Sequence, residues 1–225
     1  METIEVLPIR LRVTAILRKA LLAGEFSSGE ELSLTDTAAK LGVSRTPVRE
    51  AFQALAAEGL LELRMNRGAI VVGIDETFIR NHFELRCLLE SEAVKRAVQR
   101  QADLPKLLSL QAWAEENMTT MSEDAYRSYN QSLHMEIWRA ADNRKLYDLL
   151  CSLWNGPSSG NIGRDLEHER LSIQEHREML SHMCAGNANA AGDVMAGHIT
   201  RSMHNILRSF RTANSIQAEG PLKNI

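Results

Sequence analysis

Net charge is nearly absent from this chain: 26 Lys/Arg face 29 Asp/Glu, a formal balance of -3 over 225 residues. Bulk charge therefore announces no polyanionic partner, and any affinity for nucleic acid has to come from local placement of cations. Nine Lys/Arg balance nine Asp/Glu in residues 1–74, so the whole excess of acid falls on 75–225. Cysteine is scarce. Cys87, Cys151 and Cys184 are odd in number and widely scattered, which speaks against a disulfide framework or a Cys-based metal motif and for buried thiols in a reducing cytosol. No apolar run approaches about 18 residues, so no membrane span is expected. A basic-then-apolar leader is missing from the N-terminus, so no secretion signal is expected. Histidine is absent from the first 81 residues, and all seven lie between positions 82 and 204. What remains, 44% hydrophobic and 24% charged residues, is ordinary for a globular protein of one large or two smaller domains.

The strongest pattern lies in residues 30–73. Leu34, Ala38, Ala39 and Leu41 give a short helix an apolar face, with Ser33 placed to cap it and Gly42 to end it. Ser44 is placed to cap a second helix to about Glu58, on which Val48, Ala51, Phe52 and Leu55 recur at helical spacing. Gly59 stops that helix. Leu61, Leu63 and Met65 alternate with Glu62 and Arg64, the period of a half-buried strand, and residues 69–72 return after an Asn66-Arg67-Gly68 turn. The expected unit is a helix-turn-helix followed by a two-stranded wing. Arg45 and Arg49 are four apart and share the outward face. Two guanidinium groups one turn apart can reach guanine edges bidentately or grip phosphates, and Thr46 can bond a phosphate or touch a thymine methyl. Arg67 at the wing tip can enter a minor groove or contact the backbone. A helical hairpin with solvated arginines would carry the same Arg pair, but not the full order of turn, capped helix, stop and Arg-Gly wing.

Gly42-Val-Ser-Arg-Thr-Pro-Val-Arg-Glu-Ala51, Leu55-x-x-Glu-Gly-Leu60 and Asn66-Arg-Gly68 together resemble the GntR family of bacterial transcription regulators. The resemblance implies that Arg45, Thr46, Arg49, Arg67 and Gly68 contact double-stranded operator DNA. Relatives often carry Arg, Glu or another polar residue at the start of the first motif helix. Thr35 stands there in this chain and implies a weaker phosphate contact.

Ahead of the motif, Pro8 is placed to open a helix whose stripe is Ile9, Val13, Ile16, Leu17, Ala20 and Leu21, ending at Gly24. Behind it the domain boundary is expected near residue 74. Residues 75–212 then read as an all-α bundle of six or seven helices: 75–101, 103–121, 122–141, 144–153, 166–185 and 188–212, with a Gly/Ser-rich stretch at 155–163 and a disordered tail at 213–225. The fold class expected is mainly α, a winged helix-turn-helix in 1–74 joined to that bundle.

Asn130 and His134 are i,i+4 on one bundle helix, His176 lies on a second and His198 on a third. Three such imidazoles can converge on a divalent ion, although His82, His168, His182 and His204 compete for the role on spacing alone. Leu85-Arg-x-x-x-Glu90, Asn130-x-x-x-His134, Ala140-x-x-Asn143, Glu175-His176 and His198-Ile199 resemble the FCD ligand-binding domain of FadR-like GntR regulators. The resemblance implies a metal held by residues at Asn130, His134, His176 and His198 (zinc, nickel or manganese), with Asn130 standing where metal-binding relatives have Asp. An amide oxygen can coordinate, but it is neutral and a weaker ligand. Arg86 lies on the apolar face of its helix, where an unpaired cation is costly. It either pairs with Glu90 at i,i+4 or clamps the carboxylate of a small effector. In relatives the matching Arg lines the effector pocket, and Ser172 and Asn205 match pocket positions more loosely. Asn161, Ser158 and Ser159 are further pocket candidates.

Two function classes follow. The first is a cytoplasmic bacterial transcription regulator, usually a repressor, whose homodimer binds a pseudo-palindromic operator and responds to a small organic acid. The second is a metal-dependent hydrolase or lyase using the three-His site, against which no Asp or Glu sits in motif spacing as a general base.

Overall fold

The computed structural model describes residues 9–22, 24–65, 67–154 and 165–218. These fall into two compact units, the first ending at Asp75 and the second beginning at Glu76. The Ser158, Ser159 and Asn161 candidates lie outside the described residues, as does Asn66.

The first unit contains α1 (Ile9–Leu22), β1 (Glu31–Leu32), α2 (Leu34–Leu41), α3 (Arg45–Ala57), β2 (Leu61–Arg64) and β3 (Gly68–Val71). Its core is the seam between α1 and α3, where Val13, Leu17 and Leu21 meet Val48, Ala51, Phe52 and Leu55. Arg18 on α1 donates to both oxygens of Glu58, at 2.8 and 2.5 Å, and ties α1 to the end of α3. Ser33 Oγ accepts from the Thr35 and Asp36 N–H groups and caps α2. Gly42 ends α2 with φ +64, a left-handed turn that needs no Cβ. Ser44 occupies the N-cap position of α3 but makes no side-chain capping bond, contrary to expectation.

The wing is larger than expected. β1 adds a third strand, giving the antiparallel order β1-β3-β2, with Leu32 opposite Ala69 and Arg64 opposite Gly68. A two-residue strand carries no period of its own, which is why the sequence pattern hides it. In β2 only Leu61 is buried, and Leu63 and Met65 are exposed despite their alternation. On α1, Ile9 and Ile16 are likewise exposed.

The second unit is all-α: α4 (Glu76–Gln99), α5 (Pro105–Asn117), α6 (Glu123–Ala140), α7 (Arg144–Trp154), α8 (Leu166–Cys184) and α9 (Ala188–Ala218), six helices among the described residues. α4 packs along α9, α8 also lies on α9, and α6 touches α4, α5 and α7. The buried line of α4 is Ile79, Phe83, Arg86, Glu90, Ala93, Val94 and Ala97. One stripe of a helix can face the core, and here it includes an ion pair. Leu85 and Leu88, though apolar, fall outside it and are exposed. α9 runs on to Ala218, beyond the expected end at Thr212, so the start of the expected disordered tail is helical.

Candidate functional site

Two places in the molecule concentrate chemistry, one in each unit. In the first, core packing of Val48, Ala51, Phe52 and Leu55 turns Arg45, Thr46 and Arg49 outward, and all three are exposed. Thr35 is exposed in the first turn of α2, with its N–H taken by the Ser33 cap. Arg67 is exposed, and its N–H closes the wing turn on Arg64 O at 3.2 Å. Gly68 behaves differently from its neighbour. It is buried with φ +126, and a Cβ there would stand 2.0 Å from the Leu32 carbonyl oxygen. The glycine lets β3 lie against β1.

In the second unit α6, α8 and α9 bring His134, His176 and His198 together. All three are buried, with one ligating nitrogen each lying within 4.8 Å of the others. Ring centroids are 5.3 Å apart for His134–His176 and His134–His198, and 4.6 Å for His176–His198. Each Nδ1 has a hydrogen-bond partner outside the trio. His134 Nδ1 faces Glu90 Oε2 at 2.6 Å, His198 Nδ1 faces Glu175 Oε2 at 2.7 Å, and His176 Nδ1 faces the Tyr129 hydroxyl at 3.0 Å. A carboxylate only accepts, so His134 and His198 carry their proton on Nδ1 and turn the lone pair of Nε2 inward. The buried Nε2 atoms of His134 and His176 have no hydrogen-bond partner, and neither does Asn130 Oδ1, one turn before His134 on α6. Burial is the largest influence on His198 and holds it at about 4, against the Glu175 hydrogen bond that would raise it. Burial, then the neighbouring His198 and His134, holds His176 well below the ordinary imidazole range. Buried acceptors facing one another without a donor are costly, and a cation among them removes that cost. The donor set fits a first-row divalent ion.

Behind two of the histidines stands the same device. Arg86 donates Nε to Glu90 Oε1 at 2.8 Å, and Glu90 Oε2 takes His134. Arg201 donates to Glu175 Oε1 at 2.6 Å and to Oε2 at 2.5 Å, and Oε2 takes His198. Burial would raise both carboxyls, but Arg86 and His134 hold Glu90 at about 2, and Arg201 and His198 do the same for Glu175. Arg86 forms the Glu90 pair expected at i,i+4, and its side chain is 4% exposed, with the Trp154 ring centroid 4.9 Å from Cζ. Ser172 is fully buried, donating to His168 O and accepting from Arg201. Asn205 is half-buried on α9, seven residues beyond His198.

The competing histidines are elsewhere engaged or apart. His168 Nδ1 meets Arg201, His82 stacks on Phe78, and His204 is exposed. Residues missed from sequence include Glu175, Tyr129, Arg201 and Trp154, whose ring lies 5.0 Å from His134. Adjacency to a singled-out ligand was the available signal for Glu175 and Tyr129, while Arg201 reaches the site only through Glu175.

Comparison with known proteins finds a match in each unit. The bacterial regulatory proteins of the gntR family match residues 9–71, and the FCD domain matches residues 81–201, more than half the chain. The Nta operon transcriptional regulator of Aminobacter aminovorans is 26% identical over 191 residues, 84% of this chain and 90% of that protein. The gluconate operon transcriptional repressor of Bacillus subtilis is 31% identical over 150 residues, 64% of this chain and 58% of the repressor. The solved structure of E. coli McbR/YncC shares the fold, with a TM-score of 0.68 at 20% identity over 91% of this chain and 100% of that one. The gntR family is one of regulatory proteins, and the Aminobacter and Bacillus relatives are a transcriptional regulator and a repressor, which sets aside the hydrolase or lyase reading.

Proposed function

The chain belongs to the gntR family of bacterial regulatory proteins and is a transcriptional regulator that joins a helix-turn-helix to an FCD domain; from that premise we propose that it represses an operator under the control of a small carboxylate held at a metal centre. The observation that carries the effector half is the convergence of His134, His176 and His198, each with an Nδ1 partner outside the trio.

On the DNA side, Arg45 and Arg49 read base edges or grip phosphates from the exposed face of α3, Thr46 and Thr35 bond the backbone, and Arg67 enters from the wing. The first 74 residues carry no net charge, so a single copy gains little from bulk electrostatics. A homodimer engaging two half-sites supplies the affinity instead. The protein acts in the cytoplasm, where its operator lies; no helix among the described residues is long and apolar enough to cross a membrane.

On the effector side, His134, His176 and His198 would hold zinc, nickel or manganese, with Asn130 Oδ1 as a weaker fourth donor. Such an ion supplies a dication that attracts an anionic ligand. None of the four donors carries negative charge, so the protein leaves that attraction unspent. Glu90 and Glu175 orient the imidazoles, and Arg86 acts through Glu90. Asn205, half-buried on α9, is the more accessible of the two looser effector candidates, since Ser172 is already engaged by Arg201.

The test is a mobility shift of the full chain on DNA upstream of its own gene, with metal content measured after purification without chelator. Specific binding that a carboxylate metabolite releases, and that chelation makes insensitive to it, supports the whole reading. Specific binding with no metal in the wild type leaves the DNA half standing and removes the metal half.

A further inference from the structure

His134 and His198 have carboxylates to fix their tautomers, but His176 is backed by a hydroxyl, which can donate or accept. What decides its direction is a second residue behind it. Gln111, on α5, is 5% exposed. Its Nε2 lies 2.7 Å from Glu115 Oε1 and 2.9 Å from the Ile173 carbonyl, two groups that only accept. Both amide hydrogens are thereby placed, and the Oε1 that faces the Tyr129 hydroxyl at 2.6 Å must accept. A tyrosine hydroxyl carries its proton at neutral pH. It has one to give, and Gln111 takes it. The Tyr129 oxygen can then only accept from His176 Nδ1, 3.0 Å away. His176 is left with its proton on Nδ1 and the lone pair of Nε2 in the cluster. The line continues outward to the exposed Arg177, which donates to Glu115 at 2.6 Å.

Resting on the reading of the cluster as a metal centre, we propose that Tyr129 and Gln111 are positioning residues, which hold His176 in its Nδ1–H tautomer and so set the affinity of the centre for a divalent ion. α5 thus serves the site without contributing a ligand. Outer partners that orient a ligating imidazole typically matter by a factor of about 10–100 in metal affinity. Here the factor comes from the share of time in which Nε2 is free to ligate.

The test uses the full chain labelled with ¹⁵N-histidine. Two-bond ¹H–¹⁵N spectra of the metal-free protein at neutral pH report each tautomer, with His176 assigned by its loss in His176→Ala. Zinc affinity is measured separately by competition with a chelating dye. Wild type should show Nδ1–H at His176. Tyr129→Phe keeps the ring but removes the acceptor, and should admit the Nε2–H form. Gln111→Leu frees the Tyr129 proton to turn inward, and should drive His176 to Nε2–H. Both variants should lose roughly 10–100-fold in zinc affinity. An Nε2–H tautomer in wild type, an unchanged tautomer in Tyr129→Phe, or unchanged zinc affinity in that variant overturns the proposal. Tyr129→Phe, the milder change, decides the matter if Gln111→Leu does not fold. Failure of the metal-centre reading looks different: wild type then binds no zinc at all, whatever the tautomers do.

Discussion

Replacing Glu90 by Gln changes one charge at a polar group with no exposed surface. Its Oε1 accepts from Arg86 Nε at 2.8 Å, and its Oε2 accepts from His134 Nδ1 at 2.6 Å and Trp138 Nε1 at 3.3 Å. The amide is nearly isosteric, so packing survives. Whichever oxygen is replaced, an NH₂ group then confronts a donor, and Arg86 loses its counter-ion in a buried site. Removing one partner of a buried pair costs about 3–5 kcal/mol; Gln keeps one acceptor, so about 3 kcal/mol is expected at the low end of that range. All three tryptophans, Trp113, Trp138 and Trp154, lie beyond residue 75, so their fluorescence follows the second unit alone. Urea unfolding with chelator present should show a lower midpoint at unchanged slope. Adding Arg86→Met removes the buried cation that faces the new amide. The double variant should therefore recover part of the loss. A single-variant loss below about 1 kcal/mol, or a double variant weaker than Glu90→Gln, would refute Glu90 as the hub of a buried pair.

Arg49→Ala should leave fold and dimer intact and cost roughly 1–3 kcal/mol of operator affinity per half-site; wild-type affinity at matched salt would remove Arg49 from the recognition surface. With chelator present, stability of the second unit should fall as pH drops from 6.5 toward about 4, because His198 is held at about 4 when folded and binds its proton more readily when unfolded. The pH-dependent part from His198 is about 3 kcal/mol, by the usual 1.36 kcal/mol per pH unit, and His198→Asn should flatten that slope of melting temperature against pH. Asn130→Asp should tighten zinc while loosening a carboxylate effector, because the added charge offsets part of the dication; calorimetry showing both tighter, or neither changed, would exclude Asn130 from the centre.

The helix-turn-helix was legible because every device in it is local. The Ser33 cap, the Gly42 turn and the Val48, Ala51, Phe52, Leu55 stripe each declare themselves within a few residues, and the outward arginines follow by geometry. β1 was not legible, since its partner lies 37 residues on and two residues show no alternation. The histidine trio was legible as residues, and the resemblance selected it from seven. Its outer partners were not, apart from Glu90 at i,i+4 from Arg86. Tyr129 joins His176 across 47 positions, and Arg201 joins Glu175 across 26. Periodicity sees one helix at a time, whereas these pairs exist only once α6, α8 and α9 are packed.

The two Arg–Glu–His lines give the site its electrical character. A carboxylate facing His Nδ1–H makes the imidazole a better donor at Nε2, but two unpaired carboxylates would also cancel the charge of a bound dication. Here each is matched by its own guanidinium, Arg86 for Glu90 and Arg201 for Glu175, so orientation is obtained without net negative charge beside the cluster. His176 reaches the same end with the uncharged Tyr129 and Gln111. Asn130 in place of an acid extends the pattern to the fourth donor. An ion in this setting keeps nearly its whole charge for whatever completes its coordination. Neutral ligands would gain little from that and an anion would gain most, so under the proposed reading the cluster would favour an anionic effector. Metal and effector would then be linked, each tightening the other by one common factor, and on the proposed reading removal of the ion should abolish effector control without touching Arg45, Arg49 or Arg67.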